Sequence, residues 1–177
     1  MARAKPKPKR RTRKPRSAGG RSGRGVLAAA KRAIRRASGA GGAARVAAAA
    51  LMREAERART LAYAPYSGFA VGAALLTASG RVARGCNVEN ASFGLTNCAE
   101  RSAVFAAVSA GEREFVALAI AGPPGPGAPP CGACRQVLME FAPLMTVYFR
   151  DAKGRVLKRT LGQLLPDSFA LGGRPRR

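Results

Sequence analysis

Cys98-Ala99-Glu100 and Pro130-Cys131-Gly132-Ala133-Cys134 are the segments whose residue types and spacing could do chemistry. Two cysteines three apart on the first turn of a helix can face one metal ion, and a third thiolate from another helix start completes a three-ligand set. Helix N-termini carry positive potential, so sulfurs placed there favour the thiolate. Three protein ligands leave the fourth position of a zinc ion open to water, as in catalytic sites and unlike structural ones. Glu100 lies two residues past Cys98, about 200° around a helix, so it need not ligate through the same face and is placed to carry protons beside the ion. Without Glu100 the cysteines would fit a structural zinc or small buried hydrophobes equally well. Cys86 stands outside this pattern, at the end of an apolar run, and is expected to be buried.

The elements that must hold these residues follow from periodicity. Leu51, Met52, Ala55, Ala58, Leu61 and Ala62 recur at helical spacing, with Arg53, Glu54, Glu56, Arg57 and Arg59 opposite, which predicts an amphipathic helix from Val46 to Ala64 stopped by Pro65. Phe69–Leu76 and Arg81–Cys86 read as strands of a hairpin turning at Ala78-Ser79-Gly80. Asn97–Ala110 reads as a helix with Gly111 at its C-terminal stop, and Phe115–Ala121 as a buried strand. Gly122 to Pro130 is too rich in proline and glycine to be anything but a loop. It leads into a helix over Cys131–Phe141 closed by Pro143, then a strand over Thr146–Arg150, a turn at Asp151–Gly154 and a short helix over Thr160–Leu165. Strands alternating with helices predict an α/β fold, a three-layer α/β/α sandwich with a mixed, mostly five-stranded sheet, four of whose strands this pattern places.

Composition bounds the rest. The chain has 177 residues, 32 of them Lys or Arg and nine Asp or Glu, a net charge of +23, and no histidine. The absence of imidazole excludes histidine triads and every metal or haem site that needs one. Residues 1–45 hold 16 of the basic residues and no acid, while all ten aromatics and all four cysteines lie beyond them. A segment with charge but no aromatics buries too little apolar surface to offset its ordering entropy. The division expected is therefore a disordered basic arm over 1–44, a globular domain over 45–172 and a short basic tail over 173–177. Within the arm, Lys5 to Arg16 should stay extended and solvated, Val26–Ala37 reads as a short basic helix, and Ser38–Gly42 as a flexible joint. No apolar run is long enough for a membrane span and the arm lacks the apolar core of a secretory signal, so the cytoplasm is the expected compartment. There cysteines at motif spacing are better read as metal ligands than as disulfides.

Tyr63-Ala64-Pro65-Tyr66-Ser67-Gly68-Phe69-Ala70-Val71-Gly72-Ala73-Ala74, Gly85-Cys86-Asn87-Val88-Glu89-Asn90, Asn97-Cys98-Ala99-Glu100-Arg101 and Pro130-Cys131-Gly132-Ala133-Cys134-Arg135-Gln136-Val137 together resemble the homotetrameric cytidine deaminases over about residues 48 to 170. Leu164-Leu165-Pro166-Asp167-Ser168-Phe169 is similar to that family's closing motif. Departures are small: Ala70 stands where proline is common, Phe93 where tyrosine is common, and the Pro/Gly loop is idiosyncratic. Zinc deaminases with three thiolates and a non-ligand glutamate are an established class, so this chemistry is matched to a known instance.

The resemblance implies that Cys98, Cys131 and Cys134 bind one zinc per chain and that Glu100 moves protons, to N3 of the cytosine ring and then to the departing amine. It implies that Asn87 and Glu89 hold the ribose hydroxyls, Phe69 packs on the nucleoside, the Ala99 backbone contacts the base, and Tyr66 and Phe169 build sites across subunit boundaries. Three thiolates overcompensate a dication, and Arg101, hydrogen-bonding a ligand sulfur, is the cation that would restore its pull. Arg135 reads as solvated. The implied activity is hydrolysis of cytidine and deoxycytidine to uridine and deoxyuridine, a step of pyrimidine salvage. The alternatives are a blasticidin-type deaminase, which would not be expected to show the Asn87-x-Glu89 pair, and a nucleic-acid-associated deaminase directed by the arm, against which the missing histidine counts. The arm is expected to bind polyanions without sequence preference, with an organellar transit peptide as the rival reading.

Overall fold

A computed structural model describes residues 41–169, with side chains from residue 48 onward. The Lys5–Arg16 stretch, the Val26–Ala37 helix and the 173–177 tail lie outside the described residues, as does most of the 38–42 joint. Gly41 and Gly42, expected in that joint, already belong to the first helix.

Ten elements follow in order: α1 (Gly41–Arg59), β1 (Gly72–Thr77), β2 (Val82–Cys86), a 3₁₀ turn at Phe93–Leu95, α2 (Ala99–Ser109), β3 (Phe115–Ala121), α3 (Gly132–Phe141), β4 (Thr146–Arg150), β5 (Val156–Thr160) and α4 (Leu161–Leu164). The strands form one mixed sheet in the order β2-β1-β3-β4-β5. Only β3 and β4 pair in parallel, and the crossover between them is the Pro/Gly loop and α3. Among the described residues, no helix is long and apolar enough to cross a membrane.

Alternation along the strands separates the two faces. Ala73, Leu75, Leu118, Ile120, Val147 and Phe149 point to one side, where α2, α3 and α4 cover them with Val104, Leu138 and Leu161, joined by Met145 from the turn before β4. Ala74, Ala117, Ala119 and Ala121 point to the other, against Leu51, Met52 and Ala55 of α1. Alanine on both partners lets α1 sit very close. A side chain at Gly72 would come within 2.1 Å of the Ala55 carbonyl and 2.2 Å of the Arg59 amide, so only glycine fits there.

Two boundaries and one whole strand depart most from the periodic pattern. Helix α1 stops at Arg59 and not at Ala64, because the chain beyond it pairs instead: Tyr63 N donates to the Asn87 carbonyl at 3.0 Å and Glu89 N to the Tyr63 carbonyl at 2.8 Å. Strand β1 begins at Gly72 and not at Phe69, since Val71 N donates to the Asn87 side chain. Strand β5 escaped the pattern because Val156-Leu157-Lys158-Arg159-Thr160 is mostly exposed. An edge strand bearing Lys and Arg has no apolar alternation to reveal it, and those charges discourage pairing with another sheet. Helix α4 is fixed by a capping box in which the Thr160 side chain accepts from Gln163 N and the Gln163 side chain accepts from Thr160 N, satisfying two donors that a helix start leaves open.

Candidate active site

Cys98 and Cys131 are the N-cap residues of α2 and α3, both with extended backbone, and neither side chain makes a capping hydrogen bond. Serine, threonine or aspartate at an N-cap would turn its oxygen onto the helix amides. Cysteine leaves the thiol uncommitted. Cys134 follows in the first turn of α3, fully buried. The three Sγ atoms all lie within 4.8 Å of one another, and those of Cys98 and Cys131 are 3.9 Å apart. Tetrahedral zinc with Zn–S bonds of about 2.3 Å requires sulfurs about 3.8 Å apart, so the donor set fits zinc in both type and spacing.

Charge in this cluster is unevenly held. The hydrogen bond from Cys134, with further help from Arg101 and Cys131, holds the Cys98 thiol down to about 5 against the cost of burial, and Cys134 is pushed up in exchange. The Arg101 guanidinium lies 3.6 Å from Cys98 Sγ and donates to the Thr96 carbonyl at 3.0 Å, while its Nε is buried with no hydrogen-bond partner among the described residues. Glu100 is only 4% exposed. Burial raises its carboxyl above the ordinary range, and the negative sulfur of Cys98 adds to that, although its own main-chain amide, Cys134 and Arg101 act in the opposite direction. A carboxyl so placed, buried against the thiols, is positioned to carry a proton.

A second group adjoins the first. Val88 pairs with Asn97, exchanging main-chain hydrogen bonds of 3.0 and 3.1 Å, so the Asn87–Glu89 strand is bound directly to the residue before Cys98. Asn87 accepts from Val71 N at 2.8 Å and donates to the Phe69 carbonyl at 2.9 Å. Glu89 accepts from Tyr66 N at 3.0 Å, from Ser67 N at 3.2 Å and from the Ser67 hydroxyl. That hydroxyl, followed by the two amides, holds the Glu89 carboxyl below its usual range. Both side chains thus shape the Tyr66–Val71 segment, a role their sequence motif did not announce. Phe69 is half-buried, with its ring against Gly122. Tyr66 is exposed, its ring edge-on to Phe93 at 5.4 Å. Ala99 is fully buried, and Phe169 is exposed at the end of the described chain, its carbonyl accepting from Gln136 Nε2 at 2.7 Å.

Some residues behave differently from expectation. Arg135 is not solvated: it is half-buried and donates to the carbonyls of Pro130 and Leu164 at 2.8 and 2.9 Å. Nothing in the sequence beyond its place after Cys134 marks this. Cys86 is half-buried and not core, because its thiol turns to the Leu61 carbonyl, and it stays apart from the thiol cluster. Gly85 was quoted only within a motif, yet a side chain there would strike the Ala103 amide at 2.3 Å and the Ala99 carbonyl at 2.4 Å. It lets the first turn of α2, which carries Glu100, lie directly on β2. A cavity of about 790 Å³ between α1, the Pro/Gly loop and the β4–β5 turn includes none of these site residues.

Comparison with known proteins agrees with this geometry. The family model described as the cytidine and deoxycytidylate deaminase zinc-binding region matches residues 45–150. A cytidine deaminase of Halalkalibacterium halodurans is 52% identical over 120 residues, covering 67% of this chain and 91% of that protein. A cytidine deaminase of Mycobacterium tuberculosis is 47% identical over 126 residues, covering 71% and 92%. The crystal structure of cytidine deaminase from Burkholderia pseudomallei superposes with a TM-score of 0.65 at 53% identity, covering 68% of this chain and 97% of that one.

Proposed function

The chain belongs to the cytidine and deoxycytidylate deaminase zinc-binding family, and from that premise we propose that it hydrolyses cytidine and deoxycytidine to uridine and deoxyuridine, releasing ammonia. The observation that carries this reading is the convergence of three uncommitted thiols beside a buried glutamate. Cys98, Cys131 and Cys134 would hold the zinc, one per chain, and when bound it supplies Lewis-acid activation of water at neutral pH. Glu100 takes a proton from the attacking water and gives it to ring N3, then takes the proton of the hydroxyl now on C4 and passes it to the amine as the C4–N bond breaks. Arg101 offsets the excess charge of three thiolates.

Asn87 and Glu89 orient the ribose. Three of the roughly four acceptor positions of a carboxylate are engaged at Glu89, which leaves one for a sugar hydroxyl. Phe69 packs on the nucleoside and the Ala99 backbone meets the base. Tyr66 and Phe169 complete sites in neighbouring copies of a homotetramer, a reading supported by the exposure of both rings together with Phe93 and Leu95. The basic arm over 1–44 holds polyanions such as nucleic acid outside the 45–172 domain, and the protein works in the cytoplasm. The deciding experiment is loss of cytosine absorbance on adding cytidine, with metal content measured on the same sample. Turnover with one zinc per chain is expected, and a zinc-loaded protein inert on both nucleosides would refute the reading.

A further inference from the structure

The Pro/Gly loop delivers Cys131 to the site after nine residues that hold no regular structure. Four of its residues are prolines before Pro130, and Gly125 and Gly127 adopt positive φ of 119° and 79°. Such a loop needs an anchor at its far end if the thiol is to stay within 3.9 Å of Cys98. Arg135 supplies one. Its Nε donates to the carbonyl of Pro130, the residue directly before Cys131, and a terminal nitrogen donates to the carbonyl of Leu164 at the end of α4. Pro130 is fully buried, so its carbonyl has no water to turn to. Leu164 ends a four-residue helix whose last carbonyls lack intrahelical partners. One planar guanidinium therefore bolts together the loop that carries Cys131, the helix that carries Cys134 and the closing helix.

We propose that Arg135 is a positioning residue for the metal-binding thiols, fixing Cys131 relative to Cys134 and so slowing the loss of zinc. This rests on the reading that these thiols hold zinc. Arg135 touches no sulfur and acts only through the main chain before Cys131. Lysine cannot replace it fully, because a single ammonium lacks the rigid fork that reaches two carbonyls in different directions.

The test measures zinc release to a chromophoric chelator from the full-length zinc-loaded chain, beside melting of the zinc-free and zinc-loaded forms. Arg135→Ala should release zinc about tenfold faster, the lower end of what altered outer-shell partners cost a metal site. Arg135→Lys should fall between. Arg113→Ala removes an arginine that also donates to carbonyls, those of Val108 and Glu112, and should leave release unchanged. The melting increment gained from zinc should shrink in Arg135→Ala, a tenfold loss of affinity corresponding to about 1.4 kcal/mol. Equal release from Arg135→Ala and wild type would overturn the proposal, and so would an equal drop in both melting temperatures with the increment preserved. A wild type that binds no zinc would sink the functional reading with it.

Discussion

The two halves of the site differ in how much bonding capacity the fold has already used. At the thiols the fold spends almost nothing: two cysteines stand at N-caps without capping, and the sulfurs meet mainly each other and Arg101. At Asn87 and Glu89 nearly every polar atom is engaged by the Tyr66–Val71 segment. One half is built to be completed by something else, and the other builds the wall against which a ligand would lie. Substitutions in the first should therefore change chemistry with little change in stability, and in the second the two should move together.

The sharpest break in that contrast would come from Glu100. Glu100→Gln should keep its zinc and melting temperature while turnover falls roughly 10²–10⁴-fold, the usual worth of a positioned proton carrier. Near-normal turnover by a zinc-loaded variant would remove the glutamate from the chemistry.

Gly85 lies under both halves, since it lets α2 rest on β2 beside the Asn87 strand. Gly85→Ala must move the first turn of α2, with an expected loss of about 1–3 kcal/mol in denaturant unfolding and a fall in turnover larger than that of Gly72→Ala, whose contact lies under α1. Equal effects on turnover would show that the placement of α2 is not critical to the site.

Glu89 tests the engaged half through pH. Its carboxyl titrates below its unfolded value, so its stabilisation is complete above the unfolded carboxylate pKa of about 4.3 and is lost as pH falls through the lower folded value. Glu89→Gln should melt below wild type at pH 7, with the gap closing in more acidic buffer, and should raise KM for cytidine. A gap that widened with acid would contradict the assigned hydrogen bonds.

The smallest effect is expected outside the domain. A chain starting at Arg45 should turn over cytidine within about twofold of the full chain but lose salt-sensitive retention on DNA, because that binding rests on counterion release. Equal DNA retention by both would end the arm's proposed role.

How far the sequence could be read follows the same contrast. The thiols, Glu100 and the elements around them were legible because residue type alone restricts what they can do, and because β3 and α2 are apolar enough to declare themselves. Strand β5 was not, since its partners in β4 and not its own pattern make it a strand. The true end of α1 depended on Tyr63 finding Asn87 and Glu89, residues 24 and 26 positions away, and no local signal encodes that pairing. Arg135 read as solvated because an arginine among polar neighbours usually is, and only the arrival of Leu164 from 29 residues downstream gives it a second carbonyl. Asn87 and Glu89 could be noticed as a motif, but their hold on the Tyr66–Val71 segment is visible only in three dimensions.

The crossover between β3 and β4 also bears on the order of folding. Cys131 and Cys134 travel within that crossover, whereas Cys98 lies 33 residues before Cys131, on the far side of β3. Bringing the sulfurs together means closing a separation of 33 residues that spans β3, and such non-local contacts form slowly. Zinc captured at that late stage should leave the refolding rate nearly unchanged and act on the unfolding limb of a chevron plot. The metal would then function as a kinetic lock on a fold already assembled, and stopped-flow unfolding with and without zinc measures its strength.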